Sequence, residues 1–172
     1  LAKITALSND LSLALASHPI RIEAPIQGRS LVGIEVPNRA VSLVGLRNLI
    51  GSEEFQTIKA PLLLCLGRNV AGQAIYADLG KMPHLLIAGA TGSGKSVCIH
   101  SLITSLFYRN TAKNLRFLII DPKRVELANY SGIPHLLAPV ITDAKKTILA
   151  LRWATKEMER RYEILSARKV RD

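Results

Sequence analysis

His84-Leu85-Leu86-Ile87-Ala88-Gly89-Ala90-Thr91-Gly92-Ser93-Gly94-Lys95-Ser96 joins an apolar run to a glycine-rich turn, a lysine and a hydroxyl residue. The run from His84 to Ala88 reads as a buried strand, and the residues from about Lys95 to Tyr108 read as a helix. Between them the chain matches G-x-x-x-x-G-K-[ST], a pattern that chance also produces in proteins of every class, so context decides its meaning. Here a strand precedes the turn and a helix opens on it. After a break at Asn110-Thr111, a second apolar run, Arg116 to Ile120, completes the sequence form of a parallel α/β unit.

Such a turn can cradle phosphate. Gly92 and Gly94 let the backbone take conformations that a Cβ would obstruct. The amides of Gly89, Ala90, Thr91, Gly92, Ser93, Gly94, Lys95, Ser96 and Val97 can then converge on phosphate oxygens at the positive end of the following helix. Lys95 is the candidate catalytic residue, placed to neutralise β- and γ-phosphates, and the Ser96 hydroxyl is the candidate Mg²⁺ ligand. The cofactors this chemistry implies are ATP and Mg. Asp121 ends the run Phe117-Leu118-Ile119-Ile120 and so resembles a carboxylate that holds Mg²⁺ through water. Its place directly after the phosphate-loop helix favours a role in orienting its own loop or groups beside the nucleotide.

Outward from this unit, Ile4, Leu7, Leu11, Ala14 and Leu15 recur at helical spacing until His18-Pro19. Ile20 to Pro25 and Leu31 to Val36 alternate as a hairpin joined through Gln27-Gly28-Arg29. Leu43 to Ile50 reads as a short helix stopped by Gly51, and Leu62 to Leu66 with Ala74 to Leu79 as a strand pair around the turn at 68–72. Residues 1–80 therefore read as a small α+β domain with mainly antiparallel pairing. Residues 81–172 read as a parallel α/β unit built around the phosphate loop. Asp143 is a good N-cap for a long final helix whose stripe is Ile148, Leu151, Thr155, Met158, Tyr162 and Leu165.

Composition narrows the class. At 172 residues, 48% apolar and 21% charged, the chain can enclose a core and is not disordered. No run approaches the ~20 apolar residues of a membrane-spanning helix. No secretion signal is visible, which implies a cytoplasmic protein, and Leu1 in place of Met suggests a start inside a longer gene product. Cys65 and Cys98 lack metal-site spacing and read as buried thiols, and the histidines at 18, 84, 100 and 135 are scattered and read as structural.

The formal charge of +10 points to a polyanion such as nucleic acid. Much of it lies on the final helix, at Lys145, Lys146, Arg152, Lys156, Arg160, Arg161, Arg168, Lys169 and Arg171. Glu157, Glu159 and Glu163 stand at i,i+3 and i,i+4 spacings, so a solvated, internally paired face competes with a DNA surface there. Trp153 and Tyr162 read as packing residues rather than base-stacking platforms.

Several stretches together resemble the FtsK/SpoIIIE double-stranded DNA translocases of bacteria. They are Val32-Gly33-Ile34-Glu35-Val36-Pro37-Asn38, Lys81-Met82-Pro83-His84 running into the P-loop, Ile120-Asp121-Pro122-Lys123, Gly132-Ile133-Pro134-His135-Leu136-Leu137, and Ala150-Leu151-Arg152-Trp153 with Glu157-Met158-Glu159-Arg160-Arg161-Tyr162. The resemblance implies a homo-hexameric ring that pulls duplex DNA by ATP hydrolysis in chromosome segregation, at division or sporulation. Residues 1–80 would correspond to the family's α part, and residues 81–172 to the first portion of its β part, a RecA-like P-loop ATPase domain with an incomplete parallel sheet. Any membrane anchor would lie in a region outside this chain. The family's Walker-B segment and arginine finger would lie beyond Asp172, so Asp121 is not that Walker-B residue and the 172 residues alone are expected not to turn over ATP. Two rival readings use the same loop: a small-molecule kinase or other metabolic P-loop enzyme, and a basic DNA-binding module without turnover.

Overall fold

The computed structural model describes residues 2–17, 20–26, 28, 30–38, 40, 42–82 and 84–170. Readings that fall on His18, Pro19, Gln27, Arg29, Pro83 and Arg171 lie outside them. The chain divides into two compact units, Leu1–Leu43 and Val44–Asp172.

In the first unit the repeat read as one helix forms two, α1 (Ala2–Ala6) and α2 (Ser8–Ala14). Leu7 lies between them, its N–H drawn to Ile4 O at 3.2 Å in a tightened i→i−3 turn. The hairpin forms with β1 (Arg21–Glu23) antiparallel to β2 (Gly33–Glu35), Ile22 opposite Ile34, and Arg21 3.8 Å from Glu35 across the pair.

The second unit begins with α3 (Leu46–Ile50), closed by Gly51. Ser52 then caps α4 (Glu53–Thr57), its Oγ accepting the Phe55 N–H at 3.1 Å. Next come β3 (Leu63–Arg68) and β4 (Ala74–Asp78), an antiparallel pair, then α5 (Lys95–Arg109) and α6 (Ala144–Arg168), the last capped by Asp143 Oδ1 on the Lys146 N–H at 3.0 Å. Alternation along β3 sends its side chains to two cores. Leu63 and Cys65 pack with Leu49, Ile50 and Phe55 under α3 and α4, while Leu64 packs on Leu102 and Leu106 of α5.

That second face explains where the units divide. The sequence pattern changes near residue 80, yet the β3–β4 pair lies in the same compact unit as the P-loop helix α5, and the division falls at Leu43 and Val44 instead. Ser105, fully buried on α5, accepts the Cys65 N–H at 3.3 Å and donates to Ser101 O at 2.7 Å. Arg109 reinforces the join by donating to Ile58 O at 2.8 Å and to Phe55 O at the end of α4, its guanidinium 4.5 Å from the Phe55 ring centre.

The parallel pairing read from sequence is met only in part, and the strand read over residues 84–88 requires correction. Residues 84–88 form no ladder, and Leu86 is 90% exposed where a buried strand was expected. Residues 116–120 make parallel pairing only as isolated bridges, Phe117 with Leu136 and Ile120 with Ile141. An apolar run predisposes the chain to extension, but a strand exists only where a neighbour satisfies its N–H and C=O groups. Among the described residues the sheets are the two antiparallel pairs.

Candidate functional site

Residues 89–94 form an exposed turn directly before α5. Gly92 and Gly94 have φ of +81° and +91°, the left-handed region that a Cβ makes costly. Gly89 is constrained for a different reason: a Cβ there would run into Ser93 Oγ, with Ser93 Cβ 3.2 Å away. The turn is closed by the Ser93 N–H on Ala90 O at 3.1 Å, and α5 starts with the Cys98 N–H on Gly94 O at 2.9 Å.

No side chain caps α5. The first amides of a helix have no partner within it, so Lys95, Ser96 and Val97 present N–H groups at the positive end of a 15-residue helix. The Lys95 ammonium lies back over the turn and donates to Gly89 O and Ala90 O, both at 2.8 Å. An ammonium has three donors, so one remains for a further acceptor. The candidate residues thus occupy one turn: glycines at 89, 92 and 94 shape it, Lys95 stands over it, and Ser96 and Val97 open the helix.

Asp121 is buried and differently employed. Its Oδ1 accepts the amides of Lys123 and Arg124 at 3.2 and 3.1 Å, and its Oδ2 accepts those of Glu126 and Leu127 at 3.1 and 3.0 Å. These bonds, Leu127's foremost, hold the carboxyl below its usual range against the opposing effect of burial. With both oxygens spent on amides, the residue organises the loop after it, in which Arg124 takes φ +61°. That loop returns to the P-loop helix through Tyr130, whose hydroxyl lies 2.8 Å from His100 Nδ1. Nothing in the spacing of His100 and Tyr130 signals this contact.

Histidine 135 is likewise engaged, its Nε2 2.9 Å from Asn110 O. Cys65 is buried and Cys98 half-buried, both as free thiols, and burial pushes the Cys65 thiol up. Among the described residues no group of histidine, cysteine or acidic side chains could hold a metal ion. The Ser96 hydroxyl is compatible with Mg²⁺ all the same, because that ion commonly keeps waters and phosphate oxygens and takes few protein ligands.

On α6, Glu157 makes ion pairs with Arg160 at 2.7 Å and Arg161 at 2.8 Å. Hydrogen bonds from Arg160 and then Arg161 hold its carboxyl down at about 2. Among the described residues, no acidic side chain pairs with Lys145, Lys146, Arg152 or Lys156. The helix buries none of its residues, and Trp153 and Tyr162, read as packing, are 47% and 63% exposed. Two features escaped the sequence reading altogether, a bulge in β3 and a cleft beside the P-loop lined by Val44, Leu66, Gly67 and Val97.

Residues 45–172 match the FtsK/SpoIIIE family and residues 1–38 match the FtsK alpha domain, a division that follows the two compact units. The DNA translocase FtsK of Caldanaerobacter subterraneus subsp. tengcongensis is 54% identical over 99% of this chain and 24% of its own. In Bacillus subtilis, DNA translocase SftA is 55% identical over 99% of this chain and 18% of its own, and DNA translocase SpoIIIE 56% identical over 96% and 21%. The chain therefore spans about a fifth to a quarter of the length of these relatives. A solved structure of the pCW3 conjugation coupling protein TcpA, in monomer form with ATPγS, aligns with a TM-score of 0.61 at 21% identity over 99% of this chain and 45% of that one. At that identity the likeness speaks for a shared α/β fold. The family matches over both units make this chain a member of the FtsK/SpoIIIE family.

Proposed function

We propose that this chain is the phosphate-binding portion of an ATP-driven motor that moves along double-stranded DNA. The observation that carries the reading is the uncapped start of α5 behind two positive-φ glycines, with Lys95 poised over the turn, in a chain more than half identical to proteins named DNA translocases. In the bound state the Lys95 ammonium exchanges the carbonyls of Gly89 and Ala90 for β- and γ-phosphate oxygens. The amides from Gly89 to Val97 would surround those oxygens, and the Ser96 hydroxyl would hold Mg²⁺, which would supply charge neutralisation there. Asp121 keeps the neighbouring loop in shape.

The charge of +10 and the unpaired cations of α6 suit a backbone contact to duplex DNA that is indifferent to sequence. The assembly proposed is a homo-hexameric ring on the cytoplasmic side, serving chromosome segregation at division or sporulation. Any membrane anchor belongs to a region outside this chain; among the described residues no helix is long and apolar enough to cross a membrane. The test is phosphate release by the full-length protein with and without duplex DNA. DNA stimulation that disappears in Lys95→Ala supports the motor. Turnover indifferent to DNA points instead to a metabolic P-loop enzyme, and DNA binding without turnover points to a passive basic module.

A further inference from the structure

We propose that Tyr130 is a positioning residue for nucleotide binding: docked on α5 through His100, it steadies the phosphate end of that helix, a deepening that rests on residues 89–97 holding the phosphates. Tyr130 ends the 3-10 turn Ala128–Tyr130, which follows the loop gathered by Asp121. Its hydroxyl lies 2.8 Å from His100 Nδ1, and the two rings stand 5.5 Å apart. The Phe107 ring meets it edge-on at 5.8 Å. Burial pushes the hydroxyl's pKa up, with Thr104 opposing the shift.

These partners share one stripe of α5. His100, Thr104 and Phe107 stand at i, i+4 and i+7, and Ser96 continues the stripe one turn towards the phosphate loop. Four residues of helix rise about 6 Å, so Tyr130 bears on α5 one turn from the hydroxyl that is the candidate Mg²⁺ ligand.

That end of the helix has little else to hold it. α5 buries Leu102, Ser105 and Leu106, whereas none of residues 95–101 is buried. Among the described residues, the Tyr130 contact is the one side-chain hydrogen bond that joins residues 95–101 to chain beyond the phosphate loop. A helix end with few buried contacts opens locally at low cost. Phosphate binding needs the first amides aimed at one centre, and affinity falls with the fraction of molecules in which they are so aimed. The bond from Tyr130 shifts that local equilibrium without touching the nucleotide.

The experiment measures equilibrium binding of Mg·ATPγS to the full-length protein and to Tyr130→Phe, His100→Ala, His100→Asn and the double variant Tyr130→Phe/His100→Ala. Phenylalanine keeps the ring against Phe107 and removes only the hydroxyl. Affinity should fall about 2–10-fold in Tyr130→Phe, as for the loss of one neutral hydrogen bond, and comparably in His100→Ala. The double variant should lose no more than either single one, because both remove the same bond. His100→Asn, which sets a polar atom near the place of Nδ1, should recover most of the loss. Parental affinity in Tyr130→Phe, even with a lowered urea midpoint, marks a merely structural bond and overturns the proposal. So do additive losses in the double variant, or an asparagine no better than alanine. Affinity indifferent to Lys95→Ala sinks the phosphate site itself, and the positioning role with it. Hydrogen exchange gives a second reading: in Tyr130→Phe the amides of residues 98–101 should quicken while those of residues 106–109 keep parental rates, and uniform quickening along α5 would overturn the local tie.

Discussion

Gly94→Ala separates the backbone's part in phosphate binding from that of the side chains. Gly94 takes φ +91° and ψ 15°, and a Cβ built on it meets no atom within 4 Å. Crowding by neighbours is therefore absent, and the whole penalty is local: an L-residue in the left-handed region costs about 1–2 kcal/mol. The variant can avoid that cost only by rotating away, which moves the carbonyl that accepts the Cys98 N–H and turns the first amides of α5 from their common centre. Binding must then restore the strained backbone, so affinity for Mg·ATP should fall about 5–30-fold, the equivalent of 1–2 kcal/mol. Gly45→Ala is the control, since Gly45 has φ −74° and its added Cβ meets only Asn48 Nδ2 at 3.9 Å. Isothermal titration of the full-length protein reads both. Parental affinity in Gly94→Ala would refute the argument, as would an equal loss in Gly45→Ala.

Ser105→Ala removes the acceptor of the buried Cys65 N–H, which costs about 1–3 kcal/mol, against roughly half a kcal/mol regained in helix propensity. The urea midpoint should drop, and an unchanged midpoint would discount the β3–α5 link. Asp121→Asn turns half of a four-amide acceptor into a donor, so hydrogen exchange at Lys123, Arg124, Glu126 and Leu127 should quicken while α5 stays protected; unaltered exchange in that loop would count against the organising role. Glu157, held at about 2 against an ordinary 4.5, has a depressed folded value, so its contribution is present above 4.5 and is lost as pH falls from there towards 2. Carboxyl NMR should show that low midpoint, rising towards 4.5 when Arg160 and Arg161 are both replaced by alanine; a midpoint already near 4.5 in the parent would remove the paired face. Duplex DNA affinity should fall steeply with salt, about 0.9 in log–log slope for each phosphate neutralised, and a flat response would argue against a backbone contact.

Local chemistry was legible in the sequence, and contacts between distant residues were not. The glycines and Lys95-Ser96 fix the turn and the start of α5 through φ preferences and helix-end charge, both of which act within a few residues. Asp143 likewise announces α6, and the β3–β4 hairpin shows in its alternation. Ser52 followed by Glu53 and Glu54 is a local cap signal for α4 of the same short-range kind. The unit boundary escaped because Leu64 reaches α5 across a long stretch of chain. Residues 84–88 look like a strand from composition, but pairing is a property of partners. The duty of Asp121 is set by four amides that arrive only when the loop folds back on it, and the bulge at Leu66 is a matter of register between strands, which no single strand encodes.

The most direct test of the account is backbone amide NMR of residues 89–97 on addition of Mg²⁺ with ATPγS. Concerted shifts from Gly89 to Val97, lost in Lys95→Ala, are the predicted result. Amides there that stay unmoved at saturating nucleotide would contradict it.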